Sequence, residues 1–308
     1  MKNFSTIILV VIIAFSCNYE GNNIVNLKQN DASQRVAATA ISSYDLAQNY
    51  APIITQDVDV TGGICSNSSR TGSADWIAPV NYDGDWKGLN NWDNLTNGRS
   101  SGKLKGVLYY NTASTSTHWY ILYSVFHPRD WTDFLCDLDS HENDMEGILV
   151  CASRGGINGQ SFGAIEYVST IFHTSNKNYK NSELLYKNGK IQMFIESKGH
   201  GIRKYESSSD QDGSHIEYAL GINNLQPVGT TASYKLVSLL EIWNNRTQTD
   251  LFVDKKTFKG DNYKDNAANA PWAWGDICNY PANHIKTSFG LTNFDTFHTL
   301  REIKVEEL

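Results

Sequence analysis

The sequence predicts a mainly β protein, a two-layer β-sandwich with a few peripheral helices and long loops. Short segments rich in Tyr, Val, Ile and Phe recur along the chain, and clusters of Gly, Asn, Asp and Ser separate them. Few windows repeat at the 3.6-residue period of a helix. Of the 308 residues, 40% are hydrophobic and 12% are aromatic, which is enough to fill a substantial core. No Pro/Gly-rich linker divides the chain, so we expect one β-sandwich domain over residues 49–308.

The N-terminus predicts export. A short basic stretch at residues 1–3 precedes an apolar run from Ile7 to Phe15, which is typical of a signal peptide. The run is too short for a membrane-spanning helix, which needs about 20 residues. The segment AFSC at 14–17 resembles a bacterial lipoprotein signal, in which residues 1–16 are removed and Cys17 is lipidated. We therefore expect a lipid-anchored protein of the bacterial envelope, at the outer membrane or cell surface. Phe15 departs from the small residue usual at its position, which leaves ordinary secretion as the alternative.

Residues 17–48 are rich in Asn, Gln, Ser and Ala and show little periodicity. This composition predicts a flexible tether, which ends in a short helix from Ser43. With Cys17 lipidated, four cysteines remain, and an exported compartment permits disulfides between them. Three pairings are open, and buried free thiols are the alternative; the cysteines concerned are Cys65, Cys136, Cys151 and Cys278.

The folded part begins near NYAPIIT, residues 49–55. Strand-like segments follow, among them KGVLYY, HWYILYSVF, MEGILVCAS, IQMFIES and HIEYAL. Asn188-Gly189 between two apolar runs predicts a two-residue β-hairpin turn. The segment SYKLVSLLEIWNNR has strand-forming residues but also a helical period, and both structures are compatible with it.

The net charge of −7, without a stripe of Lys and Arg, excludes a nucleic-acid-binding surface. An acidic protein that binds an anionic ligand needs a cation between the two. This requirement directs attention to clusters of carboxylates.

The segment SHENDMEGILV, residues 140–150, carries such a cluster. In an extended chain Asp144 and Glu146 share a face, with carboxylates about 6–7 Å apart. Two bare charges at that separation repel by roughly 2.5 kcal/mol at an effective dielectric constant near 20. Water, a basic side chain or a metal ion must offset this repulsion. Oxygen ligands beside one imidazole, that of His141, suit Ca²⁺, Mg²⁺ or Mn²⁺ better than zinc. The alternative is a solvated acidic turn.

The upstream segment HWYILYSVFHPRDWTDF strengthens the metal hypothesis. It predicts a strand that runs into a polar loop and is paired with residues 145–152. It brings His127, Arg129, Asp130 and Asp133 to the end of that strand. Acids at both ends of the connecting loop form a plausible cation pocket. His127 and Arg129 are equally compatible with salt bridges.

These two segments resemble the NPP1 family of necrosis-inducing-like proteins. The shared pattern is Y-x-x-F-H-P-R-D, about ten residues, then H-x-x-D-x-E and an apolar strand, and the resemblance covers roughly Asn49 to His200. It implies a β-sandwich whose loops hold a divalent cation, and the binding of sphingolipid head groups on membranes. Residues 50–53, YAPI, and ESKGHGIR with His200 also resemble Vps62-type sequences.

The resemblance assigns roles residue by residue. It implies that Asp130 and Asp144 ligate the metal directly, and that His141 and Glu146 act around it, partly through water. His200 matches a later histidine that would close the pocket. Four positions depart from the family pattern, and they put toxin activity more in doubt than metal binding: Ser140, Glu142, Asn143 and Met145.

The segment NAPWAWGDICNYPANH, residues 269–284, predicts a long structured loop, and loops of that length are often functional. The flat apolar faces of Trp272 and Trp274 suit stacking on sugar rings. The alternative is that both rings plug the end of the sandwich.

Three functions follow. The first is a surface lipoprotein whose divalent cation (Ca²⁺, Mg²⁺ or Mn²⁺) binds a glycan, a lipid head group or another anionic surface ligand. The second is a metal-dependent hydrolase of a phosphoester or glycan, with Glu146, His141 or His200 as general base. The third is a metal-independent glycan-binding lipoprotein that uses its tryptophans. The sequence contains no Gly-x-Ser-x-Gly, Walker or HExxH motif, so it does not support serine-nucleophile, nucleotide or zinc-protease chemistry.

Overall fold

The computed structural model describes residues 41–58, 75–132, 139–156, 161–211, 214–261 and 266–292, together with residues 159, 294 and 300–301. The predicted signal peptide, Cys17 and most of the predicted tether lie outside the described residues. So do Cys65, Cys136 and Asp133. Within the described ranges, we find no helix with both the length and the apolar character that a membrane span requires.

The first described element is helix α1, Ser43–Tyr50, which begins where the sequence predicts. The Ser42 hydroxyl accepts from the Asp45 N–H at 3.1 Å, and the Asp45 carboxylate accepts from the Ser42 N–H at 3.3 Å. This reciprocal capping box satisfies two N–H groups that a helix start leaves unbonded. Leu46 and Ala47 are buried in the main core. The folded domain therefore starts before residue 49, and α1 belongs to it rather than to the tether.

The strands and the remaining helices follow in chain order. The strands are β1 Ile53–Asp57, β2 Gly106–Ser114, β3 His118–Asp130, β4 His141–Gly155, β5 Ser161–Phe172, β6 Ser175–Lys180, β7 Tyr186–Lys187, β8 Lys190–Ile195, β9 Ile202–Lys204, β10 His215–Leu220, β11 Leu225–Val228, β12 Thr231–Ser238 and β13 Leu300–Arg301. The helices after α1 are α2 Asn91–Ser100, α3 Leu240–Asn244, α4 Asp276–Asn279 and α5 Pro281–Ser288.

The described strands form one continuous sheet in the order β6-β5-β4-β3-β2-β12-β10-β1-β8-β7, with β11 on β12, β13 on β2 and β9 on β8. Ile121 and Val150 of one half share a core with Ile54 and Met193 of the other half. The sheet is thus bent into two layers around a common apolar face. At its two ends, the Thr170 hydroxyl of β5 donates to the Ile202 carbonyl of β9 at 2.5 Å. The mainly β prediction is confirmed, and the two layers belong to a single sheet.

Local predictions can be compared element by element. Asn188 and Gly189, with φ of 52° and 75°, form the two-residue turn between β7 and β8, as predicted. The ambiguous segment is a strand up to Ser238 and a helix from Leu240, so both of its patterns are used.

Two of the four remaining cysteines lie in the described part of the chain. Cys151 and Cys278 are both buried in one apolar cluster between the sheet and the C-terminal helices, and no disulfide joins them. Burial raises the pKa of the Cys151 thiol well above its usual range. The disulfide prediction therefore does not hold for this pair.

Candidate metal centre

Strands β3 and β4 pair antiparallel and build the candidate site. Their register places His127 opposite Asp144, Arg129 opposite Glu142 and Asp130 opposite His141. The two polar clusters found in the sequence are therefore adjacent, as the predicted strand pairing requires.

Asn143 decides which side chains face the site. Its φ of 62° is in the left-handed region, which Asn tolerates better than most residues, and it interrupts the alternation of faces along β4. The Asn143 amide donates to the carbonyls of Lys259 at 2.7 Å and Gly88 at 3.0 Å, on the side away from the site. His141 and Asp144, three residues apart, consequently both line the cavity described next.

A cavity of about 870 Å³ opens beside the two strand ends. Four sequence-predicted residues line it, namely Asp130, His141, Asp144 and Glu146. The rest of the lining comes from the β5–β6 turn, the segment after β8 and the 267–274 loop; its members include His173, Asn176, Glu196, Ser197, Lys198, Asn269 and Trp274.

Two of the lining carboxylates, Glu146 and Asp130, are buried beside the charge of Asp144. Burial, followed by the charge of Asp144, raises the pKa of Glu146 well above its usual range. Burial also raises the pKa of Asp130. The hydrogen bond from His141 lowers this pKa, and the charge of Asp144 raises it further. The Glu146 Oε1 accepts from the His173 N–H at 3.2 Å, but its buried Oε2 has no hydrogen-bond partner among the described residues.

His141 contributes one nitrogen to the cavity. Its Nδ1 lies 2.9 Å from the Asn143 carbonyl, so Nδ1 carries the proton and donates. Its Nε2 lies 3.4 Å from the Asp130 Oδ2. Burial disfavours the imidazolium, but the hydrogen bond to Asp130 and the nearby carboxylate charges outweigh burial and raise the pKa of His141.

His200 lies behind the cavity rather than in it. Its Nδ1 is 3.0 Å from the Asp144 Oδ2, and its Nε2 is 3.1 Å from the Asp75 Oδ1. Burial opposes its protonation, yet the bonds to these two carboxylates raise the pKa of His200 to about 9. His200 is therefore a fully buried cation that fixes Asp144. It is not among the residues that line the cavity, and both of its nitrogens bond carboxylates, so this arrangement gives it no position from which to act on a ligand as a base.

His127 stacks on His200 with ring centroids 3.7 Å apart. Its Nε2 donates to the Gln56 side-chain oxygen at 3.0 Å, because the Gln56 amide nitrogen already donates to two carbonyls. Burial, followed by the charge of His200, lowers the pKa of His127 well below its usual range. His127 is thus neutral, and its buried Nδ1 has no hydrogen-bond partner among the described residues.

These facts decide which residues fit a cation. Within the described ranges, the side chains whose ligand atoms all lie within 4.8 Å of one another are His127, Asp144 and His200. His200 cannot ligate in this arrangement, since both of its nitrogens bond carboxylates. The donors that remain in this group are the Asp144 carboxylate and the Nδ1 of the neutral His127, which has no hydrogen-bond partner among the described residues. Asp130, His141 and Glu146 line the cavity but lie outside this 4.8 Å group. A donor set rich in carboxylate oxygen suits Ca²⁺, Mg²⁺ or Mn²⁺.

Two other predicted residues have structural contacts. Arg129 donates its Nε to the Trp92 carbonyl at 3.2 Å and lies over the Trp92 ring, facing away from the cavity. Trp272 is 5% exposed, packs edge-on against Trp243 and donates to the Lys255 carbonyl at 2.8 Å. Its ring faces are therefore covered, and the sugar-stacking prediction does not hold for it, whereas Trp274 does line the cavity.

Apart from Trp274, sequence reasoning missed the part of the cavity lining that lies outside β3 and β4. His173 has a φ of 55°, and a side chain at Gly199 or Gly201 would come within 2.7 or 2.9 Å of its ring. The glycines around His200 leave room for the His173 ring, and their spacing was the available signal. His173 Nε2 also lies 3.5 Å from the Glu196 Oε2 at the cavity mouth.

Fold and site together define a mainly β protein with a buried histidine–carboxylate cluster at one end of a bent sheet. No protein-family model matches the chain, and no curated protein matches it. Among solved structures it is similar to NLPPya in complex with mannosamine, at 15% identity and a TM-score of 0.37, over 75% of this chain and 84% of that one. It is also similar to necrosis and ethylene inducing protein 2 from the causal agent of cocoa's witches' broom disease. That match has 14% identity and a TM-score of 0.29, over 65% of this chain and 77% of that one.

A third structure, described as a toxin fold as basis for microbial attack and plant defense, matches at 12% identity and a TM-score of 0.34, over 75% of this chain and 86% of that one. Necrosis-inducing-like proteins are thus named both by the sequence resemblance and among these structures, and the likeness is distant in identity and in TM-score. The roles assigned to individual residues depend on the geometry of this chain.

Proposed function

We propose that this chain is an exported surface lipoprotein whose β domain holds a divalent cation at Asp130, His141, Asp144 and Glu146. In this proposal the bound cation recruits an anionic or glycosylated head group into the adjacent cavity. The chain's own residues hold the cation, orient the ligand and exclude water from one side of it.

The observation that carries the proposal is the surplus of negative charge at the cavity wall. Asp130 and Glu146 each have a raised pKa because they are buried beside Asp144, and Glu146 keeps one buried oxygen that has no hydrogen-bond partner in the described part of the chain. His200 compensates for one carboxylate of the cluster, but it faces Asp144 from behind. A divalent cation on the cavity side supplies the charge that the described residues lack.

The cavity wall supports a glycosylated or anionic ligand. Trp274 offers an aromatic face, and Asn176 and Asn269 offer amide groups of the kind that bond sugar hydroxyls. Lys198 adds a positive charge at the same wall. A cation at this site accounts for the attraction of such a ligand to an acidic protein. The metal-independent alternative depends on Trp274, which lines the same cavity as the proposed metal ligands.

The first test is the thermal midpoint of the protein in EDTA and then in Ca²⁺, Mg²⁺ or Mn²⁺, beside an Asp130→Asn/Asp144→Asn variant. A cation at a hundredfold excess over its dissociation constant stabilises the native state by about 2.7 kcal/mol. We expect one cation to raise the midpoint of the native sequence and to leave the variant unchanged. No shift with any of the three ions refutes the metal site.

The second test separates the ligand from the metal. Binding to arrayed glycans and to anionic lipids is measured with cation and with chelator, for the native sequence and for Trp274→Ala. Loss of binding in chelator supports recruitment through the cation. Binding that survives chelation but is lost in Trp274→Ala supports the metal-independent alternative instead.

A further inference from the structure

The strand β11 and the turn before it expose three aliphatic side chains, which we call the aliphatic ridge. The exposed fractions of Ile222, Leu225 and Val228 are 101%, 59% and 78%. Leu225 and Val228 pair with Ser233 and Thr231 of β12 across a β-bulge, and because Ser233 and Thr231 share a face of their strand, Leu225 and Val228 lie on one side. An exposed cluster of large aliphatic residues is unusual on a soluble surface and marks a contact site.

Basic side chains lie directly beside this ridge. Residues 99–105, at the end of α2, supply three exposed ones, Arg99, Lys103 and Lys105, which we call the basic flank. Hydrogen bonds join the two segments: the Gln226 side chain accepts from the Leu104 N–H at 3.3 Å and donates to the Arg99 carbonyl at 3.0 Å. The segment that carries the aliphatic ridge is therefore held against the segment that carries the basic flank.

We infer that the aliphatic ridge and the basic flank dock the domain onto an anionic lipid bilayer. Aliphatic side chains that enter the acyl–headgroup boundary, beside Lys and Arg that meet lipid phosphates, are the combination used by interfacial membrane-binding elements. The charge complementarity is local, because the chain as a whole carries −7 and a bilayer of anionic lipid would repel it elsewhere. A protein partner of ordinary composition would not need three cations beside an apolar contact.

The ridge is separate from the proposed metal centre in both residues and chemistry. It uses no carboxylate, so docking does not require a divalent cation. It also differs from the predicted lipid anchor, because it would set the orientation of the folded domain on the membrane rather than its attachment.

The experiment measures amide hydrogen exchange of the full chain in EDTA, with vesicles of phosphatidylcholine alone or containing 30% phosphatidylglycerol. We expect residues 221–230 to be protected by the anionic vesicles alone. Residues 276–283 serve as the control segment, since Tyr280 is 46% exposed and the segment contains an acid, Asp276, and no Lys or Arg. A local readout is needed because the N-terminal apolar run can bind vesicles by itself.

Two variants complete the test. Ile222→Ser/Leu225→Ser/Val228→Ser should lose the protection of residues 221–230 and keep the thermal midpoint, because exposed side chains contribute little to stability. Arg99→Gln/Lys103→Gln/Lys105→Gln should weaken binding of the domain on the order of a hundredfold, at about fivefold per basic residue. High salt should weaken it as well.

Three outcomes overturn the inference. These are no protection with anionic vesicles, equal protection with neutral ones, or protection that rises with protein concentration in the absence of lipid. The last would assign the ridge to contact between two copies of the chain. Because EDTA is present throughout, a negative result with vesicles does not affect the proposed metal function. A negative result in the thermal test with cations likewise does not affect the inference about membrane docking.

Discussion

Replacement of Glu146 by Gln should stabilise the protein in the absence of a cation and remove its response to one. Gln keeps the shape of the side chain and the oxygen that accepts from the His173 N–H. At a pH high enough to ionise Glu146, whose pKa is raised, the substitution removes the charge that faces Asp144 two residues away, at about 6.6 Å along the strand. At an effective dielectric constant of 20, that repulsion is about 2.5 kcal/mol, which is the upper limit of the expected gain in EDTA.

When the preferred cation is added, the native sequence should become more stable than the Glu146→Gln variant, which reverses their order in EDTA. At a hundredfold excess over its dissociation constant, the cation should stabilise the native sequence by about 2.7 kcal/mol. For a domain of this size, that corresponds to roughly 5–10 °C in thermal midpoint. The variant lacks one charged oxygen ligand and should show a small shift, so the two melting curves should exchange order between EDTA and cation.

The matched control is Glu142→Gln on the same strand. Glu142 is also buried, but it faces away from the cavity and accepts from the Trp92 N–H at 2.6 Å and the Asp261 N–H at 3.2 Å. This variant should lose about 1–3 kcal/mol equally with and without cation. The reasoning is refuted when Glu146→Gln is destabilised in EDTA, or when the cation stabilises it as strongly as it stabilises the native sequence.

Three further outcomes are expected. His200→Gln removes the buried cation between two carboxylates and should cost about 3–5 kcal/mol in urea denaturation; a loss below 1 kcal/mol would contradict its role. Burial opposes the ionisation of Asp210, but Arg203, at 2.8 Å, lowers the pKa of Asp210 below its usual value. The ionised Asp210 therefore contributes to the free energy of unfolding above its unfolded pKa of about 3.9, and this contribution is lost as the pH falls through its folded pKa. Asp210→Asn should make the free energy of unfolding less dependent on pH in that acidic range. Gly147→Ala would bring a Cβ within 2.5 Å of the Trp274 ring and should cost about 1–3 kcal/mol, with a changed near-ultraviolet circular dichroism spectrum.

The sequence predicted the elements of this protein better than their arrangement. Period-two segments and the Asn-Gly turn are local signals, and they located the strands and the hairpin. The ambiguous segment before Trp243 showed both periods because it contains both a strand and a helix. The two layers form one bent sheet because residues that are distant in sequence, such as Thr170 and Ile202, contact each other. No local pattern in the sequence encodes such contacts.

The candidate site was predicted in part for the same reason. Asp130, His141, Asp144 and Glu146 come from neighbouring strands, and the pattern of acids at both ends of one loop brought them together. His200 was found through a resemblance, but its orientation depends on Asp75, which is 125 residues away. The burial of Trp272 depends on its contact with Trp243, and a tryptophan that packs in a core has the same sequence signature as one that stacks on a sugar.

The cavity lies where the two ends of the bent sheet meet. One wall comes from β4 and the end of β5, and the other includes Glu196–Gly199, between β8 and β9 at the opposite end of the sheet. A ligand that touches both walls therefore links the two ends of the sheet, so its binding free energy is also a free energy of sheet closure. Opening of the contact between β5 and β9 and release of the ligand then become one coupled equilibrium. Occupancy of the cavity would slow exchange of amides along both strands, far beyond the residues that the ligand contacts.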